Sequence, residues 1–136
     1  MKLSVILFVN ACFSLLNAAL FLISSRFFAD LILVRGYNVL GFYGTEIIQL
    51  LAIGLLIFGL YTALIAFKID KLIWHTRIII MMDWSWVLAT LALFIAVDVF
   101  SFKGMVYFGV VGAIVSAFAI TQATQYRAAI AQNQAD

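Results

Sequence analysis

The chain has 136 residues, of which 67% are hydrophobic and only 10% charged, whereas a soluble domain is roughly 45–50% apolar and ~25% charged. That balance excludes a soluble globular domain, and the length supports one packed unit. A net charge of +2, from eight Lys and Arg spread along the chain without a basic run, argues against a nucleic-acid partner.

The apolar residues fall into four blocks without a proline, each long enough to cross roughly 30 Å of hydrocarbon. The expected fold is an all-α, integral membrane four-helix bundle of up-down-up-down order, forming a single domain over residues 1–136. Block one covers residues 3–23. With Lys2 ahead of it and Ala18 and Ala19 near its end it imitates a secretory signal peptide. Asn10, Ser14 and Asn17 are foreign to the apolar heart of such a peptide, so the block is expected to stay as a membrane helix. Their spacing of i, i+4, i+7 puts all three on one helix face. Cys12 is the chain's single cysteine, which excludes an internal disulfide, a CxxC redox pair and a thiolate metal cage.

The connection over residues 24–41 carries Arg26, Phe27, Phe28, Asp30, Leu31, Ile32 and Arg35. That order suits a short interfacial helix, or equally an apolar loop folded over the bundle; Gly36 and Asn38 then signal a turn. In block two, residues 42–67, Glu46, Gln49 and Tyr61 fall within an arc of roughly 120° that also includes Gly54. In block three, residues 78–99, Asp83, Trp86, Thr90 and Asp98 form a similar stripe, and Trp84 and Trp86 read as interfacial aromatics. Block four, residues 105–126, repeats Gly109, Gly112, Ser116, Ala119 and Ala123 at alternating spacings of three and four. This small-residue seam lets helices approach closely, either inside the chain or between copies of it. A short polar tail is expected over residues 127–136.

Lys2, Lys68, Lys71, Arg77 and Arg127 gather at one set of span ends and Arg26, Arg35 and Lys103 at the other. Five against three predicts a cytoplasmic (inner) membrane protein with both termini in the cytoplasm. If blocks two and three pack as an antiparallel hairpin about Leu72, Glu46 lies near the level of Asp98, and Tyr61 near that of Asp83. Asn17 and Gln49 then join the outer level, and Asn10 and Gln122 the inner one. Two polar layers with an apolar middle are therefore expected.

Polar side chains are costly in hydrocarbon, so Glu46, Asp83, Asp98, Asn10, Asn17, Gln49 and Tyr61 are the candidate proton- or ligand-binding residues. Glu46 and Asp98 at one depth would share a proton or a cation, be neutralised by Arg26, Arg35 or Lys103, or simply reach headgroups. Asp83 needs a partner, for which Tyr61, Gln122, Arg77 and Arg127 are candidates. The single histidine, His75, rules out paired-imidazole haem ligation within one chain. No zinc spacing, phosphate-binding loop or nucleophile elbow occurs either. No cofactor and no catalytic activity are expected. The leading expectation is a non-catalytic accessory, scaffold or assembly subunit whose partners are membrane lipids and its own copies or a larger membrane complex. The alternative is a small oligomeric transporter or channel that uses the intramembrane carboxylates for protons, cations or a cationic solute.

Overall fold

The computed structural model describes residues 2–96 and 98–133, and is almost wholly helical. Helix α1 spans Leu3–Ile23 and a short α2 Ser25–Ile32. A two-stranded hairpin follows, β1 Asn38–Val39 and β2 Phe42–Tyr43, then α3 Gly44–Phe67. The short α4 Ile69–Leu72 and a 3-10 turn at Ile73–His75 lead into α5 Thr76–Ala96, and α6 Phe102–Asn133 ends the fold. Four helices are long and apolar enough to cross a membrane, and α2 is the expected short helix after the first. Helix α6 runs past the predicted end of block four, so residues 127–133 continue the helix instead of forming a tail. Residue 97 of block three and residues 134–136 of the tail lie outside the described residues.

The chain contains no proline, so no helix loses a backbone hydrogen bond, as hydrocarbon requires. Polar side chains serve the helix ends. The Tyr43 N–H donates to the Glu46 carboxylate at 2.8 Å at the start of α3. Ser101 caps α6 by accepting the Gly104 N–H at 3.0 Å on its hydroxyl oxygen. Hydroxyls inside the spans bond back to their own helix, Thr90 to the Trp86 carbonyl at 2.9 Å and Ser116 to that of Gly112 at 2.8 Å. Large apolar side chains such as Leu16, Ile57, Leu88 and Val110 are exposed, while Asn10, Ser14, Thr62, Asp83 and Gln122 are buried. This inside-out distribution belongs to a multi-pass membrane protein, whose outer face meets lipid.

Around the bundle the helices run in the order α3, α1, α6, α5. Helix α1 packs closely along α3, and α5 along α6, whereas α3 and α5 scarcely touch although they are consecutive spans. Gly59 makes the first pairing close: a Cβ there would press on the Leu15 side chain at 2.8 Å and the Ala11 carbonyl oxygen at 3.3 Å. Gly104 makes a second close approach, where a Cβ would collide with the backbone of Ile32. Helix α2 is thereby tied to the α5–α6 turn, with the Val34 N–H donating to the Val99 carbonyl at 3.0 Å and the Ser101 N–H to that of Ile32 at 2.8 Å.

Two apolar clusters close the ends of the bundle. One gathers Phe21, Ile32, Leu33, Ile48, Val99 and Phe108 beneath α2; the other gathers Leu3, Leu7, Ile65, Ile79 and Tyr126 near the termini. Between these clusters the polar residues fall at two depths: Asn10 meets Asp83 beside Gln122, as the inner level groups them, and Asn17 lies seven residues further along α1 with Tyr107.

Candidate functional site: a cavity between α3 and α5

Because α3 and α5 stand apart, the bundle encloses a cavity of about 300 Å³ between the two apolar clusters. Every long helix contributes to its lining: Asn10, Phe13, Ser14, Asn17 and Phe21 from α1, Leu50, Leu51, Gly54, Leu55 and Phe58 from α3, Met82, Asp83 and Trp86 from α5, and Tyr107, Phe108, Val111 and Val115 from α6. Leu50, Gly54 and Met82 line the cavity and are also exposed, so its mouth opens sideways between α3 and α5. Gly54 sits ten residues into α3, about 15 Å along the helix, which puts the mouth deep within the span.

The predicted face of α1 supplies most of the polar side of the cavity. Asn10, 1% exposed, donates from Nδ2 to Asp83 Oδ2 at 2.9 Å, and Asp83 is itself only 3% exposed. Asn10 Oδ1 has no hydrogen-bond partner. Gln122 adjoins the same carboxyl from α6, but neither its amide nitrogen nor its oxygen completes a hydrogen bond. Two turns further along α1, Asn17 Oδ1 accepts the Tyr107 hydroxyl at 2.7 Å, and Asn17 Nδ2 donates to the Phe13 carbonyl at 2.8 Å. The rest of the lining is aliphatic and aromatic.

Of the residues singled out from sequence, Asn10, Asn17 and Asp83 come together in this cavity, with Gly54 at its mouth. Glu46, Gln49, Tyr61 and Asp98 do not line it. Glu46 is used at the N-terminus of its own helix, and Gln49 Nε2 donates only a long hydrogen bond to the Ser25 hydroxyl oxygen at 3.4 Å. Asp98 is exposed in the α5–α6 turn. The Tyr61 hydroxyl meets His75 Nδ1 at 2.8 Å, far along the chain from Asp83. In the small-residue seam Ala119 is fully buried and Ser116 and Ala123 are half-buried, while a Cβ at Gly109 or Gly112 would meet nothing within 4 Å.

Sequence reasoning missed Tyr107, which looks like an interfacial aromatic near the start of its helix, and the aromatic walls, which share the general apolarity of the chain. Phe108 at i+1, tilted against Trp86 with ring centroids 6.2 Å apart, was equally silent. Among the described residues no three His, Cys, Asp or Glu side chains converge as a metal site would require. No protein-family model matches this sequence, and no curated protein or solved structure is detectably similar to it.

Proposed function

We propose that this protein is a non-catalytic membrane protein that holds a small amphipathic molecule in the α3–α5 cavity, taken sideways from the bilayer as the binding step of a small transporter. The observation that carries this reading is the cavity itself, within the size range of roughly 300–1,000 Å³ seen for small-molecule sites, apolar over most of its lining and polar where Asn10 and Asp83 meet. An intramembrane acid that faces a cavity marks a ligand or ion pathway more often than a purely structural role. Among the described residues the hydroxyls on the lining are those of Ser14 and Tyr107, and the single histidine is engaged with Tyr61 elsewhere, which supports a binding role over catalysis. The charge asymmetry of the span ends supports an orientation with both termini on the cytoplasmic side.

Saturable binding of an amphiphile to the protein in lipid nanodiscs tests the reading, with Gly54→Phe as the obstructed control. Loss of binding in that variant with unchanged folding supports the cavity as the site; equal binding in both places the amphiphile elsewhere.

A second reading, an assembly subunit, has one observation in its favour. Gly109 and Gly112 keep a small-residue strip of α6 open instead of using it for close packing within the chain. Native mass spectrometry of wild type and Gly112→Leu, extracted gently from the membrane, tests it. A change of stoichiometry or loss of a companion protein supports assembly through α6, and an unchanged spectrum removes that role.

A further inference from the structure

The class of amphiphile follows from which hydrogen-bonding groups on the polar side of the cavity are already spent. One Asn10 N–H is committed to Asp83, the Tyr107 hydroxyl to Asn17 Oδ1, and one Asn17 N–H to the Phe13 carbonyl. What remains includes acceptors, namely the Asp83 carboxyl, beside which Gln122 also stands, and Asn10 Oδ1, unpartnered in a side chain that is 1% exposed, together with two neutral donors, the Ser14 hydroxyl and the Trp86 indole N–H. Among the described residues no Lys, Arg or His lines the cavity. The neighbouring walls present the rings of Trp86 and Phe108, whose faces attract cations.

Resting on the cavity reading above, we infer that the site takes the head of a lipophilic cation, an alkylammonium or protonated amine, whose apolar part occupies the mouth between α3 and α5 and the adjoining lipid. Such a head supplies N–H donors to Asn10 Oδ1 and positive charge beside the Asp83 carboxyl. An alcohol head supplies one donor and no charge. A carboxylate or phosphate head brings lone pairs against lone pairs and a second negative group beside Asp83. The sideways mouth fits the same class, because a lipophilic cation concentrates in the bilayer before it meets the protein.

The experiment compares radiolabelled decylammonium, decanol and decanoate, one chain length with three heads, on the protein in zwitterionic nanodiscs, with empty nanodiscs subtracted. Saturable binding is expected to be tightest for decylammonium and absent for decanoate. Asp83→Asn is expected to weaken decylammonium binding by at least about tenfold and so to remove its advantage over decanol. Equal binding of the three heads, or decylammonium binding unaffected by Asp83→Asn, overturns the cation assignment while leaving the cavity as an amphiphile site. Absence of saturable binding by all three overturns both. Should Asp83→Asn fail to fold, the ranking of heads on the wild type decides, and Gly54→Phe, which leaves the polar groups in place, shows whether the bound cation lies in this cavity.

Discussion

Asn10 and Asp83, 73 positions apart, meet through one hydrogen bond of 2.9 Å between α1 and α5, two helices that otherwise pack chiefly on other partners. The bond joins the polar face of the first span to the one acid that lines the cavity among the described residues. In hydrocarbon it is a tie between the α1–α3 pair and the α5–α6 pair, and interhelical bonds of this kind contribute up to about 2 kcal/mol.

Removing one member should therefore cost more than removing both. Asn10→Leu leaves the Asp83 carboxyl buried without its donor and is expected to lower stability by about 1–3 kcal/mol. Adding Asp83→Leu to Asn10→Leu is expected to recover part of that loss. A double-mutant cycle on unfolding in mixed micelles measures the coupling. Strict additivity of the two changes would show that the bond has no energetic role.

Tyr107→Phe tests the second polar pair. The change keeps the ring that packs on Phe21 and Phe28, but leaves Asn17 Oδ1 without its donor. A loss of about 1 kcal/mol is expected in the same unfolding assay; an unchanged stability would show that Asn17 finds another donor.

The stripe of Asn10, Ser14 and Asn17 was legible because helical periodicity alone places polar residues on one face. Their partners were not, because partner choice depends on which helices pack. Glu46 shares a level with Asp98, and Tyr61 with Asp83, only if consecutive spans lie side by side. The parting of α3 from α5 undoes that premise, and local chemistry takes over: Glu46 caps its own helix, and Tyr61 reaches His75 one turn beyond α4. The glycines show the same limit. A repeat drew attention to Gly109 and Gly112, which face open space, whereas the isolated Gly59 and Gly104 carry the tight packing.

That contrast yields a direct comparison. Gly104→Ala forces the α6 backbone away from Ile32 and is expected to destabilise the protein by about 1–3 kcal/mol, the usual cost of overpacking. Gly109→Ala and Gly112→Ala are expected to be neutral or stabilising, since alanine is the better helix former by roughly 1 kcal/mol. Thermal unfolding of the three variants checks the order; an equal loss in all three would mean that the α6 seam is packed as tightly as Gly104.

The β1–β2 hairpin holds Leu40 at φ 52° ahead of Gly41 at φ 87°, the backbone of a two-residue hairpin turn, with the leucine side chain 94% exposed. Leucine in the left-handed region costs about 1–2 kcal/mol, and asparagine tolerates that region better. Leu40→Asn is therefore expected to raise stability in detergent. A loss in bilayers alongside a gain in detergent would show that Leu40 is buried among lipid headgroups.

The central claim is that an amphiphile in the bilayer reaches the interior of the bundle between α3 and α5. Photolabelling in liposomes with a diazirine-bearing alkyl alcohol, read by peptide mass spectrometry, tests it most directly. Adducts are expected on the cavity residues Phe58, Val111 and Val115, and Gly54→Phe should suppress these while leaving labelling of the outward-facing Ile57 and Leu88 unchanged. Adducts confined to Ile57, Leu88 and other outward-facing side chains in both proteins would contradict the claim.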